Sequence, residues 1–347
     1  MASSLQLCVI EGDGIGREVI PAAVEILQAT GLPFDTHPAA AGWECFQQQG
    51  TALPEATVQI AGQSDAILFG AVSSPSYKVE GYSSPIVALR RKLDLFANLR
   101  PSHSWPVPTS RPGIDLLIAR ENSEGLYVRR ERRQGDEATA ERVITGHGSA
   151  RITRVACEWA MRRRKHLTIV HKANVLPETC GLFRQTAIEV ARSYPDLDID
   201  EMLVDAMALQ LVTHPERFDV IVTTNLFGDI LSDEAAGLVG GLGLAPSANV
   251  GVARSPALFE PVHGSAPDIA GLGIANPIAA FLAVAMMLDH FGAVEEARRV
   301  RSAVELVISR GPHTPDLGGS GTTTEITDVV KSHVAGDEVI GDRGIRS

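Results

Sequence analysis

Asp229 and Asp233 stand four residues apart in Asn225-Leu226-Phe227-Gly228-Asp229-Ile230-Leu231-Ser232-Asp233, just after an apolar run, Val220-Ile221-Val222, that reads as a strand. With Asn225 to Gly228 as the turn leaving the strand and Ile230 onward as a helix, the spacing puts both carboxylates on one face of a first helical turn. Two readings of the pair are open. The carboxylates either cap the helix and favour the positive end of its dipole, or they share a divalent cation, for which all-oxygen ligation selects Mg²⁺ or Mn²⁺. Asp205, delivered by the strand Met202 to Val204, is a third carboxylate of the same kind.

Arginines gather upstream. Arg90 and Arg100 bracket Leu93 to Leu99, and a strand from Leu116 to Ala119 delivers Arg120, with Tyr127 seven residues further on. Guanidinium groups at strand and helix ends can fork onto carboxylates, so three with one target imply a polyacid substrate; singly, each serves as well in a surface ion pair. Lys172 follows the strand Leu167 to Val170, in His171-Lys172-Ala173-Asn174-Val175. A lysine at a strand end can move protons when its surroundings lower its pKa, or can simply face water. Arg129 to Arg133 and Arg162 to His166 read as an exposed arm and a solvated helix face.

The loop Glu260-Pro261-Val262-His263-Gly264-Ser265-Ala266-Pro267-Asp268-Ile269 has the small residues that let a backbone approach a phosphate or a ring, with His263 placed to stack and Asp268 to accept from ribose hydroxyls. A plain loop explains it equally well. Near the start, Gly12-x-Gly14-x-Gly16 lacks the spacing of a dinucleotide fingerprint, and no acidic residue follows where a ribose would need one. A tight turn in an α/β unit is the reading there.

Strands and helices alternate along the chain, which predicts an α/β protein with a mostly parallel sheet covered on both faces. A length of 347 residues points to two domains. With 44% apolar and 21% charged residues the composition is that of a globular protein, and a net charge of -11 argues against nucleic acid or an anionic membrane as partner. Met1 to Ser4 carries no basic leader, and the longest apolar run, Ile278 to Leu288, reads as a buried helix. Cys8, Cys45, Cys157 and Cys180 are dispersed without zinc or redox spacing and read as buried thiols of a reducing cytosol.

Together these segments, from Val9 to Glu325, resemble the metal-dependent β-decarboxylating dehydrogenases of isocitrate, 3-isopropylmalate, homoisocitrate and tartrate. The resemblance implies a two-domain isopropylmalate dehydrogenase-like fold that is not a Rossmann fold. It implies a cofactor-binding domain from both chain ends (1–98 plus 250–347), a central domain (99–249), and a homodimer, or a tetramer, interlocked by an arm near 129–148. Arg90, Arg100 and Arg120 then match the clamp on the substrate's carboxylates, with Ser84 and Val87 reading the rest of the molecule. Asp229 and Asp233 match metal ligands, Asp205 and Lys172 residues donated across the dimer, and Tyr127 with Lys172 the proton-handling pair. His263, Gly264, Ser265, Ala266, Asp268 and Asn276 match the adenosine loop, and Asn174 a neighbour of the nicotinamide.

NADP-dependent members carry lysine and tyrosine where this chain has Asp268 and Ile269, so NAD is the expected cofactor, with Mg²⁺ or Mn²⁺. Isocitrate enzymes present Ser-x-Asn-x-x-x-Arg before the first arginine; here Ser84-Pro85-Ile86-Val87-Ala88-Leu89-Arg90 keeps the serine and puts Ile86 for the asparagine. The run Gly81 to Arg91 looks most like fungal-type homoisocitrate dehydrogenases, so the order of expected substrates is homoisocitrate, isocitrate, then 3-isopropylmalate and tartrate or malate. A non-catalytic regulatory subunit is the reading from another class. It would lack an acidic ligand, the lysine or the tyrosine, all of which are present.

Overall fold

Parallel strands covered on both faces need side chains that are apolar on both faces, and the apolar runs of this sequence meet that demand. The computed structural model describes residues 4–77, 79–252 and 255–336. Its strands are β1 (Leu5–Gly12), β2 (Phe34–Pro38), β3 (Ala66–Ala71), β4 (Ala97–His103), β5 (Asp115–Glu121), β6 (Glu131–Gln134), β7 (Glu137–Ala140), β8 (His166–His171), β9 (Asp198–Leu203), β10 (Val220–Thr223), β11 (Pro246–Val250) and β12 (Ala257–Pro261). Its helices are α1 (Gly16–Ala29), α2 (Trp43–Gln49), α3 (Glu55–Gln63), α4 (Pro85–Lys92), α5 (Gly146–Arg162), α6 (Thr179–Ala191), α7 (Val204–Thr213), α8 (Asn225–Leu238), α9 (Ile278–His290), α10 (Val294–Arg310) and α11 (Thr323–Ala335).

Ten strands form one sheet in the order β2-β1-β3-β12-β11-β4-β5-β10-β8-β9. Pairing is parallel in β2-β1-β3-β12 and in β5-β10-β8-β9, and antiparallel through β12-β11-β4-β5 between them. The sheet is thus mixed, and mostly parallel as the alternation of elements predicts, and its order is not that of a Rossmann sheet. The chain passes from the first half to the second between α4 and β4 and returns along β11. Every residue of β3 and β10 is buried. Helix α9 is buried on nearly all sides and is the centre of the core around α1, α10 and α11, which is why its sequence shows no polar face. Among the described residues β6 and β7 pair only with each other, as a ribbon exposed along its whole length within the stretch 129–148. Among the described residues no helix is long and apolar enough to cross a membrane.

Three sequence-based boundaries move. Helix α8 begins at Asn225, so Asn225 to Gly228 is helix and not turn. Gly228 is there for room: a Cβ would stand 2.6 Å from Arg120 Cγ. Val204 starts α7 and does not end β9, and α4 stops at Lys92, although the apolar pattern of Val87 to Leu95 reads as helix throughout. Beyond it Asp94 takes a left-handed backbone with φ 48. Arg163 and Arg164 are not a solvated face. They hold fully buried Asp219, Arg163 through its Nε at 2.7 Å and Arg164 through its backbone N–H at 2.8 Å. The outer ends of the cofactor domain inferred above, 1–3 and 337–347, lie outside the described residues.

Candidate active site

Because α8 starts at Asn225, after Thr224 as a cap residue without a side-chain bond, Asp229 and Asp233 lie on its second and third turns. They cap nothing, and the capping reading falls. They still share a face, and that face meets Arg120 from β5 and Arg100 from β4. Arg120 is 1% exposed; its Nη1 donates to Asp229 Oδ1, and its Nε and Nη2 reach Asn225 at 3.0 and 2.8 Å. Arg100 Nη1 donates to Ser232 Oγ at 2.8 Å and to Asp233 Oδ1 at 2.9 Å, and lies 3.4 Å from Asp229 Oδ1. Tyr127, on a single 3-10 turn Leu126–Val128, donates its hydroxyl to the other Asp229 oxygen, with the Arg120 guanidinium 5.1 Å from its ring centre.

Charge at this cluster is unevenly shared. Burial works against the Asp229 carboxylate, yet Arg120 and the Tyr127 hydroxyl hold it below the usual range. Burial pushes Asp233 up, Arg100 offsets part of that, and neighbouring Asp229 pushes it further. Burial brings Arg120 down to about 10, and burial with Asp229 raises the Tyr127 hydroxyl, which therefore keeps its proton at neutral pH. Two carboxylates on successive turns, one with a side chain 53% exposed, suit a hard divalent cation. Among the described residues no three metal-binding side chains of one chain come together, so Asp205 does not complete this site from within the same chain.

Arg90 sits on α4, 8% exposed, and pairs through Nη2 with Glu260 Oε1 at 2.9 Å. That same oxygen accepts from Asn249 Nδ2 at 2.7 Å, so the counter-ion is itself held from β11. The Nε groups of Arg90 and Arg100 are buried and have no partner, two donors set for an acceptor that the protein does not supply. On α4 the helical period divides the residues that could read a substrate's tail. Leu89 belongs to the core of the first half and Ile86 packs against it, which removes Ile86 from the cleft-reading set. Ser84, Val87 and Arg90 recur at threefold spacing along a stripe of α4 that borders Ile86 at Arg90, and Ser84 leads into the helix without a cap bond from its side chain. Tyr82 is also engaged elsewhere: its hydroxyl donates to the Ser73 carbonyl at 2.8 Å and its ring packs edge-on against Trp43 and Phe46.

Lys172, just past β8, donates its ammonium to Asp205 on the first turn of α7. That pair forms a second cluster, with exposed Asn174 two residues beyond Lys172, and no bond within the chain ties it to Tyr127 or Asp229. The lysine and Asp205 thus meet each other as their strand-end placement suggests, but not the arginine cluster of the same chain.

The adenosine-type loop is stitched onto the glycine turn. Ile15 donates its N–H to the Ser265 carbonyl at 2.9 Å, and a Cβ on Gly14 would lie 2.1 Å from that oxygen, which fixes glycine there. Ser265 Oγ shares a hydrogen bond with Ser73 Oγ at 2.7 Å, and Ala266 adopts φ 38. The fit to a dinucleotide is visible in three features: His263 Nε2 is buried without a partner, a Cβ on Gly264 would enter open space, and the Asp268 carboxylate faces solvent. Asn276 is partly committed. Its Oδ1 accepts from Ile278 N at 3.0 Å and its Nδ2 donates to Asp316 at 3.0 Å, leaving one amide hydrogen for a ligand. Sequence reasoning missed Asn225, Ser232, Glu260, Asn249, Ser73 and Asp316 as supports of the site. The one available signal was Glu260, a charge closing a fully buried strand, which needs a cation beside it.

Comparison with known proteins agrees with this geometry. A family model for isocitrate/isopropylmalate dehydrogenase matches residues 6–330. An isocitrate/homoisocitrate dehydrogenase of Thermus thermophilus is 60% identical over 94% of this chain and 97% of its own. A 3-isopropylmalate dehydrogenase of Archaeoglobus fulgidus is 51% identical over 94% and 98%. The crystal structure of isocitrate dehydrogenase from Methylococcus capsulatus superposes with a TM-score of 0.91 at 44% identity, covering 95% of this chain and 99% of that one. With the arginines, carboxylates and tyrosine drawn together on a sheet of that form, the chain belongs to the isocitrate/isopropylmalate dehydrogenase family, an enzyme of the β-decarboxylating dehydrogenases.

Proposed function

We propose that this chain oxidises homoisocitrate with NAD and releases CO₂, yielding 2-oxoadipate. The observation that carries the substrate is the line Ser84, Val87, Arg90 along one side of α4. Successive members are about 4.5 Å apart at 1.5 Å per residue, so an acid gripped at Arg90 has an apolar contact one turn away and a hydroxyl at the helix N-terminus one turn beyond. A tail of two methylenes ending in a carboxylate matches that order. Isocitrate, one methylene shorter, ends nearer Val87. 3-Isopropylmalate is the second reading, because Val87 alone would satisfy a branched apolar tail and such enzymes are among the relatives. Asp268 supports NAD, since its carboxylate would repel a 2′-phosphate.

The reaction follows from the placement of charge. Asp229 and Asp233, with Asp205 of a second copy, would hold Mg²⁺ or Mn²⁺, whose charge lowers the pKa of the substrate's C2 hydroxyl and stabilises the enolate left by CO₂. Arg90, Arg100 and Arg120 orient the carboxylates, and the unpartnered Nε groups of Arg90 and Arg100 gain acceptors. Lys172 of the second copy, as the neutral amine, would take the C2 hydroxyl proton, and NAD when bound would accept the hydride. Tyr127, still protonated at neutral pH, gives its proton to the carbon that has lost CO₂. Exposed Leu209 and Val212 on α7 and Ile230 on α8 support a homodimer that brings the second cluster to the first, and the central domain 99–249 with its arm would supply that contact. Four free, buried cysteines suit a cytoplasmic enzyme.

The test is NADH production by the purified chain with Mg²⁺ and a panel of homoisocitrate, isocitrate, 3-isopropylmalate, tartrate and malate. The largest kcat/KM is expected with homoisocitrate. Turnover of none of them would defeat the catalytic reading and leave a ligand-binding subunit.

A further inference from the structure

Two stretches carry the chain between the halves of the sheet, the turn from α4 to β4 and the exit from β11, and they meet at Asp94. The left-handed turn at Asp94 lies in the first, and a Cβ on Gly251, just past β11, would stand 2.7 Å from the Asp94 carbonyl oxygen. Arg151 of α5 closes over this junction. Its Nη1 spans both Asp94 carboxylate oxygens at 2.8 and 2.9 Å, its guanidinium lies 4.3 Å from the centre of the Phe96 ring, and its side chain is 15% exposed. Its Nη2 donates to Ser123 Oγ at 2.8 Å. Ser123 begins the segment that ends at Tyr127, and that segment is folded by the Glu121 carboxylate, which accepts from the N–H groups of Ser123 and Glu124, both at 2.8 Å.

We propose that Arg151 is a positioning residue for the reaction: clamped to Asp94 and Ser123, it fixes α4 and its substrate-reading face against the segment that carries Tyr127. The inference rests on the function proposed above for the cleft, and it assigns Arg151 no contact with substrate. The chemistry explains why arginine stands there. One planar fork spans two oxygens of Asp94, reaches a hydroxyl on a different element and stacks on a ring, whereas an ammonium supplies a point charge without that geometry. The left-handed Asp94 backbone is a conformation that persists only where its surroundings hold it.

The variants are Arg151→Met, Arg151→Lys, Asp94→Asn and the Arg151→Met/Asp94→Asn double change, each read by kinetics and by hydrogen exchange of the ligand-free enzyme. Expected are at least a tenfold loss of kcat/KM in Arg151→Met, carried mostly by kcat, an intermediate loss in Arg151→Lys, and a double variant no worse than Arg151→Met. The amides of Ser123 and Glu124 should exchange at least tenfold faster while those of β1 and β3 stay as they are. Losses that multiply in the double variant, or unaltered exchange at Ser123 and Glu124, would overturn the clamp. Should Arg151→Met fail to fold, Arg151→Lys and Asp94→Asn carry the same two readings. If the wild-type chain turns over none of the acids, the proposed function fails, and the exchange measurement still decides on Arg151.

Discussion

Ser84→Ala separates the candidate substrates by chemistry. The hydroxyl leads into α4 without bonding to the backbone it precedes, so removing it takes nothing measurable from the helix, and melting temperature should hold. A hydrogen bond to a carboxylate contributes about 1.5 to 3 kcal/mol, and about 1.4 kcal/mol is tenfold in rate. If a distal carboxylate lies two turns from Arg90 against Ser84, kcat/KM for homoisocitrate should fall roughly 10- to 100-fold in Ser84→Ala. Isocitrate, whose carboxylate stops about one methylene sooner, should lose less, and 3-isopropylmalate, which has no such carboxylate, should change by less than about threefold. Initial rates of NADH formation with each acid give all three ratios from one preparation. An equal loss with all three acids, or less than about threefold with homoisocitrate, would refute the reading of α4 as the tail-recognising helix.

Tyr127→Phe should slow decarboxylation more than hydride transfer, by up to the 10² to 10⁴ typical of a general acid; the half-reactions are measured separately with the keto-acid intermediate, and equal loss in both would sink the assignment. Burial holds His171, His263 and His290 below their ordinary 6.5, so below that pH the unfolded chain binds more protons than the folded one. Melting temperature should be level above pH 7 and fall as pH drops through 6.5, with Glu201, held low by Arg184, extending the fall below about 4.5; a melting temperature that rises on acidification contradicts this. Mg²⁺ and substrate should each raise the other's affinity by the same factor, at least about tenfold, read by titrating one at fixed concentrations of the other; independent binding would refute it.

Much of the fold was legible because buried parallel strands and the all-apolar α9 write themselves as continuous runs, and because Asp229 and Asp233 keep one face wherever their helix starts. The start itself was not legible. Asn225 and Gly228 look like turn residues, and only the tertiary packing of Arg120 against the Gly228 backbone shows why glycine stands inside a helix. Ile86 and Val87 are adjacent and both apolar, so sequence alone could not tell which packs inward; Leu89 and the core beneath α4 decide it. Arg163 and Arg164 look solvated in a basic run, since their partner Asp219 is more than fifty residues away. Long-range polar pairs such as Arg90 with Glu260 leave no periodic trace, and a single charge ending an apolar strand is the nearest thing to a signal for them.

The arginine cluster explains why cation and polyacid should bind together. Arg90, Arg100 and Arg120 face Glu260, Asp229 and Asp233, so three positive and three negative groups already balance within the protein. A divalent cation entering between Asp229 and Asp233 alone would compete with Arg100 and Arg120 for the same oxygens, and leave buried guanidinium groups without partners. A polyacid entering alone would find the charge of those guanidinium groups already balanced, with the Nε donors of Arg90 and Arg100 open to it, and would crowd carboxylate against carboxylate. Arriving together, the cation would take the aspartates and the substrate's carboxylates the arginines, so neither sign of charge is stranded in a site where an unpaired ion costs on the order of several kcal/mol. Glu260 keeps hold of Arg90 throughout, because its oxygen is anchored by Asn249 and not by any residue the ligands would displace. The arginine with no contact to the two aspartates would therefore stay fixed while the other two change partners, and it is the one on the helix proposed to read the tail.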